Sequence, residues 1–220
     1  MKLTKKLEIS GEHSLTIPGP IGDLETVLTA PESIKSESVA VLGHPHSLQG
    51  GTMNNKVVTT LARTFKELGI PSLRFNFRGV GQTTGVYDAG IGESEDMLFL
   101  ARQWQQEKPT ANLIFAGFSF GSYVAYRTAA QLQHALLITV APPVHHYDYT
   151  EFEPSPSPWV VVQGEKDEVV PFSLVLDFAA QRKPPLSVLR FADTSHFFHG
   201  KLTELKSQLL PVITAQVKMR

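Results

Sequence analysis

From Ser38 onward, short unbroken apolar runs rich in β-branched residues alternate with longer stretches of helical periodicity, and no other feature restricts the fold as much. The runs cover 38–42, 72–75, 113–116, 135–140, 159–162 and 186–191. Strands without polar alternation have no face to give to water, so they must be covered on both sides, and the helices between them are the available covers. The helical stretches span about 54–68, a segment opening at Glu93, 119–131, 173–181, and a terminal segment from about 201. Gly69 and Pro71 are stop signals for the first of these, and Pro211 is expected to kink or end the last. The expectation is a mostly parallel, doubly wound α/β sheet with right-handed crossovers. The beginning differs: runs at 7–9, 15–17 and 24–29, separated by Gly11-Glu12-His13 and Pro18-Gly19-Pro20, read as an antiparallel meander. In open sheets of this kind ligands sit beyond the carboxyl ends of the strands. The loops after Leu42, Phe75, Ala116, Val140, Val162 and Phe191 are therefore where function is sought.

Gly117-Phe118-Ser119-Phe120-Gly121 matches G-x-S-x-G between an apolar strand and a helix start, the context this pattern requires. A sharp strand-to-helix turn holds the serine in strained backbone geometry, and glycines on either side remove side chains that would collide. Ala125 and Ala129 then let the helix lie close to the sheet. A serine hydroxyl is a weak nucleophile that needs a base, and the base needs an orienting acid. Asp167, in Gln163-Gly164-Glu165-Lys166-Asp167-Glu168 after the strand at 159–162, is the candidate acid, with Glu165 and Glu168 as rivals. His196, in Asp193-Thr194-Ser195-His196-Phe197-Phe198-His199 after the last strand, is the candidate base. Its rival His199 falls in or near the first turn of the terminal helix.

With these residues the chain resembles the α/β-hydrolase superfamily, and within it small esterases related to dienelactone hydrolases and prolyl-oligopeptidase catalytic domains. The resemblance runs from about Leu24 to the end. It rests on the three segments above and on Phe75-Asn76-Phe77-Arg78-Gly79-Val80-Gly81, similar to the family's F-D-x-R-G-x-G loop with Asn76 in place of Asp. It implies an α/β-hydrolase fold and an oxyanion hole made by backbone N–H groups. One donor is Phe120, after the nucleophile. The second lies in Gly43-His44-Pro45-His46-Ser47, where the family usually has His-Gly-x; Pro45 has no N–H, so His46 is the matching donor, or Ser47 if the register slips. The implied activity is cleavage of a small carboxylic ester by Ser119, His196 and Asp167. A thioesterase, amidase or peptidase on the same triad, or a non-catalytic binding protein on this scaffold, are the alternatives. A histidine base further implies that activity declines on acidification, because imidazolium cannot accept a proton.

Composition trims the alternatives. At 220 residues and 42% hydrophobic, the chain suits one hydrolase domain over 1–220. Twenty basic against 21 acidic residues leave a net charge of -1, giving no footprint for nucleic acid or an anionic membrane. The absence of cysteine excludes disulfides, a thiolate nucleophile and cysteine-ligated metal. No apolar h-region follows Met1-Lys2-Leu3-Thr4-Lys5-Lys6, and no run nears the roughly 18 residues of a membrane span, so a cytoplasmic protein is expected. Gly79-Val80-Gly81-Gln82-Thr83-Thr84-Gly85 has its third glycine one place late for a dinucleotide loop and is read as a wall of the site. His44 with His46, and His145 with His146, lack the rest of a coordination shell. Phe65, Trp104, Phe115 and Phe178 fall at core spacing. The expectation is thus no cofactor and no metal, a small-molecule acyl substrate, and no nucleic-acid or membrane partner. The connection 141–158 is too short for a helical cap, implying an open site rimmed by aromatics.

Overall fold

The structure, a computed structural model, describes residues 2–219; Met1 and Arg220, the ends of the expected domain, lie outside the described residues. Eight strands form one sheet: β1 (Gly11–Pro18), β2 (Asp23–Ala30), β3 (Ser38–Gly43), β4 (Ser72–Phe75), β5 (Asn112–Phe118), β6 (Leu136–Val140), β7 (Trp159–Gly164) and β8 (Ser187–Phe191). Their spatial order is β1-β2-β4-β3-β5-β6-β7-β8. β2 runs antiparallel to both β1 and β4, and β4 through β8 pair parallel by way of β3.

The sheet carries helices on both faces, as its unbroken apolar runs require. Alternate residues along the central strands point to opposite sides. Val39, Val41, Leu113, Phe115 and Val161 face one core, with Met97, Leu100 and Trp104 of α2 (Ile91–Glu107) and Val124 of α3 (Phe120–Ala129). Ala40, Leu42, Ile114, Ala116 and Val162 face the other, with Leu61 and Phe65 of α1 (Lys56–Glu67) and Leu205, Leu209 and Ile213 of α5 (Leu202–Gln216). Each of the Val, Leu, Ile, Met and Phe side chains contributes about 1.5–3 kcal/mol by leaving water. Val175 anchors α4 (Phe172–Gln181) to the first core, and Phe178 of the same helix is only half-buried. The stop at Gly69 is realised: its φ is +71°, and the Ile70 N–H turns back to the Phe65 carbonyl at 2.9 Å.

Three expectations are corrected. Residues 7–9 are not a strand, because Thr4–Glu8 is a 3-10 helix held by Glu107, which accepts from the Leu3 and Thr4 N–H groups at 2.8 and 2.9 Å. The antiparallel start is therefore the β1–β2 hairpin. Second, α2 opens at Ile91 rather than Glu93, since the Glu93 carboxylate reaches back to the Asp88 and Gly90 N–H groups and caps the turn before it. Third, α5 does not end at Pro211 but continues to Gln216, its buried Leu209 and Ile213 tying the turns on either side of the proline to the core. His199 lies near the first turn of α5, as expected, just before its N-cap Lys201, and is exposed.

Candidate active site

The end of β5 and the start of α3 place Ser119. Its φ of 52° and ψ of -124° lie in a region that strains any residue with a side chain. The surrounding backbone enforces that geometry: the Ser119 N–H donates to the Val140 carbonyl at 2.8 Å, and its carbonyl accepts from the Ser122 N–H at 2.8 Å. Gly117, Gly121 and Gly43 close against one another, and a Cβ on Gly43 would come within 2.7 Å of the Gly121 oxygen. The turn thus requires bare backbone at three places, two of them inside the pentapeptide.

The loops after β7 and β8 bring the other two groups. Asp167 and His196 are both buried. The His196 ring contacts Asp167 Oδ2 through Nδ1 at 2.9 Å and Ser119 Oγ through Nε2 at 3.1 Å. The imidazole is flanked by the rings of Phe118 and Phe197, each with its centroid 5.0 Å away. Asp167 is fixed on every side: Oδ1 accepts from the Val169 and Val170 N–H groups at 2.9 and 2.7 Å, and Oδ2 also accepts from Gln163 Nε2 at 3.0 Å. The two loops touch through the Lys166 N–H, which donates to the Thr194 carbonyl at 3.1 Å. The rival groups lie elsewhere. Glu165 pairs with Arg190 at 2.9 Å, and Glu168 accepts from the backbone N–H of His196 rather than from its ring. That Gln163 is a second side-chain partner of the Asp167 carboxylate was missed in the sequence, where it is one more residue of a strand end.

Ser119 and His196 open into a cleft of about 170 Å³ lined also by Pro45, His46, Asn55, Val169 and Phe197. Ser47 does not line it; its hydroxyl is buried, without a hydrogen-bond partner among the described residues. The β3 loop is wrapped tightly, with the Gln49 and Gly51 N–H groups both donating to the His46 carbonyl, at 3.1 and 3.0 Å. Burial lowers the His46 pKa, against a weaker opposing pull from Glu93, and its Nδ1 accepts from the Leu48 N–H at 3.2 Å. Phe120 is the first residue of α3, so its N–H has no acceptor within the helix.

His44 holds this loop to the next one. Its Nδ1 donates to the Pro45 carbonyl at 2.7 Å, and its Nε2 accepts from the Phe77 N–H at 2.9 Å. That pattern fits only the neutral ring. Burial lowers the His44 pKa to about 4 from 6.5, despite the opposing effect of the Pro45 carbonyl. The unfolded chain therefore takes up this proton first as the pH falls. The stabilisation is fully present above pH 6.5 and is lost between 6.5 and about 4, costing on the order of 3 kcal/mol. Chemical unfolding at pH 7 and pH 4.5 is expected to give a steeper loss of stability for the wild type than for His44→Gln; equal losses would contradict this assignment.

Asn76 explains its departure from aspartate. Its Oδ1 accepts from the Met53 N–H at 2.9 Å while its Nδ2 donates to Glu25 at 2.7 Å, and an aspartate here would set two carboxylates against each other. Arg78 clamps the Gly-rich loop by donating to both Asp96 oxygens, at 2.8 and 3.1 Å. Burial raises the Asp96 pKa, and the Arg78 guanidinium opposes this. Tyr87 of this loop packs its ring 4.8 Å from His46 and 5.5 Å from Phe120, so the loop backs His46 from behind and, contrary to expectation, does not itself line the cleft. Residues 141–158 contain no helix or strand, and among them Tyr147 packs on Phe120 with centroids 5.4 Å apart. Among the described residues no cluster of three or more His, Asp or Glu could hold a metal, and no helix is long and apolar enough to cross a membrane.

A parallel sheet with one reversed strand near its edge, a serine at a strained strand-to-helix turn, and no inserted lid together define an α/β hydrolase. Known proteins agree. An α/β serine hydrolase homologue from Coxiella burnetii is 43% identical over 94% of this chain and 99% of its own, with a TM-score of 0.89. XC6422 from Xanthomonas campestris, described as an α/β serine hydrolase without a lid, is 39% identical over 95% and 96% of the two chains, with a TM-score of 0.90. The uncharacterized protein RP471 of Rickettsia prowazekii is 34% identical over 209 residues, 87% of this chain and 84% of that one. The chain belongs to the α/β serine hydrolases. At 17% identity, over 96% of this chain and 95% of the other, the Pyrococcus furiosus esterase Pf2001 shares the fold, with a TM-score of 0.78. No family model matches the sequence.

Proposed function

We propose that this chain, acting as a single domain, cleaves small carboxylic esters through an acyl-enzyme formed on Ser119. The observation that carries the reading is the unbroken line from Asp167 through His196 to Ser119, at 2.9 and 3.1 Å, opening into a cleft. In this reading Ser119 Oγ attacks the ester carbonyl while His196 Nε2 takes its proton. Asp167 keeps the other proton on Nδ1 and stabilises the imidazolium that forms. The Phe120 and His46 amides receive the oxyanion, a contribution of about 2.7–4 kcal/mol per donor in comparable sites. His196 then passes its proton to the departing alcohol. A water activated by the same ring releases the acid and restores the hydroxyl. Apart from the ester and one water, every reacting group in this scheme belongs to the chain.

The cleft volume supports a small acyl group: about 170 Å³ is below the ~300–1,000 Å³ of pockets that enclose drug-sized ligands. The esterase likeness of Pf2001 supports an ester over other acyl bonds. A panel of p-nitrophenyl esters from acetate to palmitate, with a matched thioester and anilide, tests both points. Acetate and butyrate esters are expected to turn over fastest. No ester turnover at all, or a preference for the anilide, would contradict the proposal.

A further inference from the structure

The chemistry proposed for Ser119 leaves unused a buried pair of hydroxyls behind it. Ser122 and Tyr149 are almost wholly shielded from solvent. Ser122 Oγ donates to the Ser119 carbonyl at 2.6 Å, which commits its single proton, and Tyr149 Oη lies 2.7 Å from the same Oγ. Tyr149 is thus the donor in the second bond. Burial raises the Tyr149 pKa well above its usual range, so it keeps the proton this bond needs. The Ser119 carbonyl accepts a further bond from the Ser122 N–H at 2.8 Å.

That carbonyl belongs to the same planar peptide as the Phe120 N–H. Fixing the oxygen fixes the direction of the N–H, and drawing electron density toward the oxygen makes the N–H a stronger donor. We propose that Tyr149 is a positioning residue: through Ser122 it orients and polarises the peptide unit whose N–H serves as an oxyanion donor. The inference rests on the ester-hydrolase reading and extends it, because it ties the segment that replaces a lid directly to the oxyanion hole. Tyr149 is well anchored for this purpose. Its ring packs on Tyr126 at 5.1 Å and Tyr123 at 5.4 Å, and the nearby Glu151 pairs with Arg127 of α3.

The test compares wild type, Tyr149→Phe, Ser122→Ala and the double variant. The substrate is p-nitrophenyl acetate, and the inhibitors are a short alkylboronic acid, which forms a tetrahedral adduct on the serine, and free acetate as a trigonal ligand. Tyr149→Phe is expected to lower kcat about tenfold with KM little changed, the loss of roughly one buried neutral hydrogen bond in the transition state. Boronate affinity should fall by the same factor while acetate affinity holds. The double variant should be no worse than Ser122→Ala, since the tyrosine acts through the serine. Unchanged kcat and boronate binding in both single variants, equal weakening of boronate and acetate, or additive losses in the double variant would overturn the inference. These outcomes presuppose a wild type that turns over the ester and binds boronate; a wild type that does neither overturns the hydrolase reading and this inference with it.

Discussion

Ser119→Ala is expected to lower kcat for a short p-nitrophenyl ester by on the order of 10⁵–10⁶, leaving only background hydrolysis. The side chain being removed holds little else in place: its Oγ contacts His196 Nε2 at 3.1 Å. The strained turn is fixed by the backbone bond to Val140 and by the mutual closure of Gly43, Gly117 and Gly121, none of which uses the hydroxyl. Alanine meets the same backbone strain as serine, so the thermal midpoint should move by no more than a few degrees. Turnover within tenfold of wild type would show that another group is the nucleophile.

Asp167→Asn is expected to lower kcat by about 10⁴ while the protein stays folded. The environment dictates how the amide would sit. Two backbone N–H groups, from Val169 and Val170, point at Oδ1, so the amide oxygen stays there. The amide nitrogen then takes the place of Oδ2, where it faces His196 Nδ1 and the Gln163 donor. Donating to Nδ1 moves the imidazole proton to Nε2, and a ring protonated there cannot accept from Ser119. Stability should fall by about 1–3 kcal/mol for the unmatched Gln163 contact. A kcat within a few fold of wild type would mean that the carboxylate plays no part in orienting the ring.

Much of the fold was legible because a strand buried on both faces leaves a plain mark, a run such as Trp159-Val160-Val161-Val162 with no polar interruption. The serine turn was equally legible, because backbone crowding at Gly117 and Gly121 acts between residues close in sequence. What escaped depends on distant partners. The 3-10 helix at Thr4–Glu8 is held by Glu107, over a hundred positions away, and no local periodicity announces that capping. The choice of Asp167 over Glu165 and Glu168 could be framed from the sequence, but the separation follows from where Arg190 and the His196 ring fall. The bond of Gln163 to Asp167 was invisible, and the connection 141–158 was read only as an aromatic rim, with nothing to mark the bond of its Tyr149 to Ser122, because such pairs carry no signature until both partners are in place.

Treatment with a fluorophosphonate followed by peptide mass mapping tests the central claim most directly, because the reagent phosphonylates a serine only where a neighbouring base activates it. The account predicts one adduct, on the peptide holding Ser119, blocking ester turnover in proportion to labelling and strongly reduced in His196→Ala. An adduct on a different residue, or ester turnover that persists in protein carrying no modifiable Ser119, would contradict it.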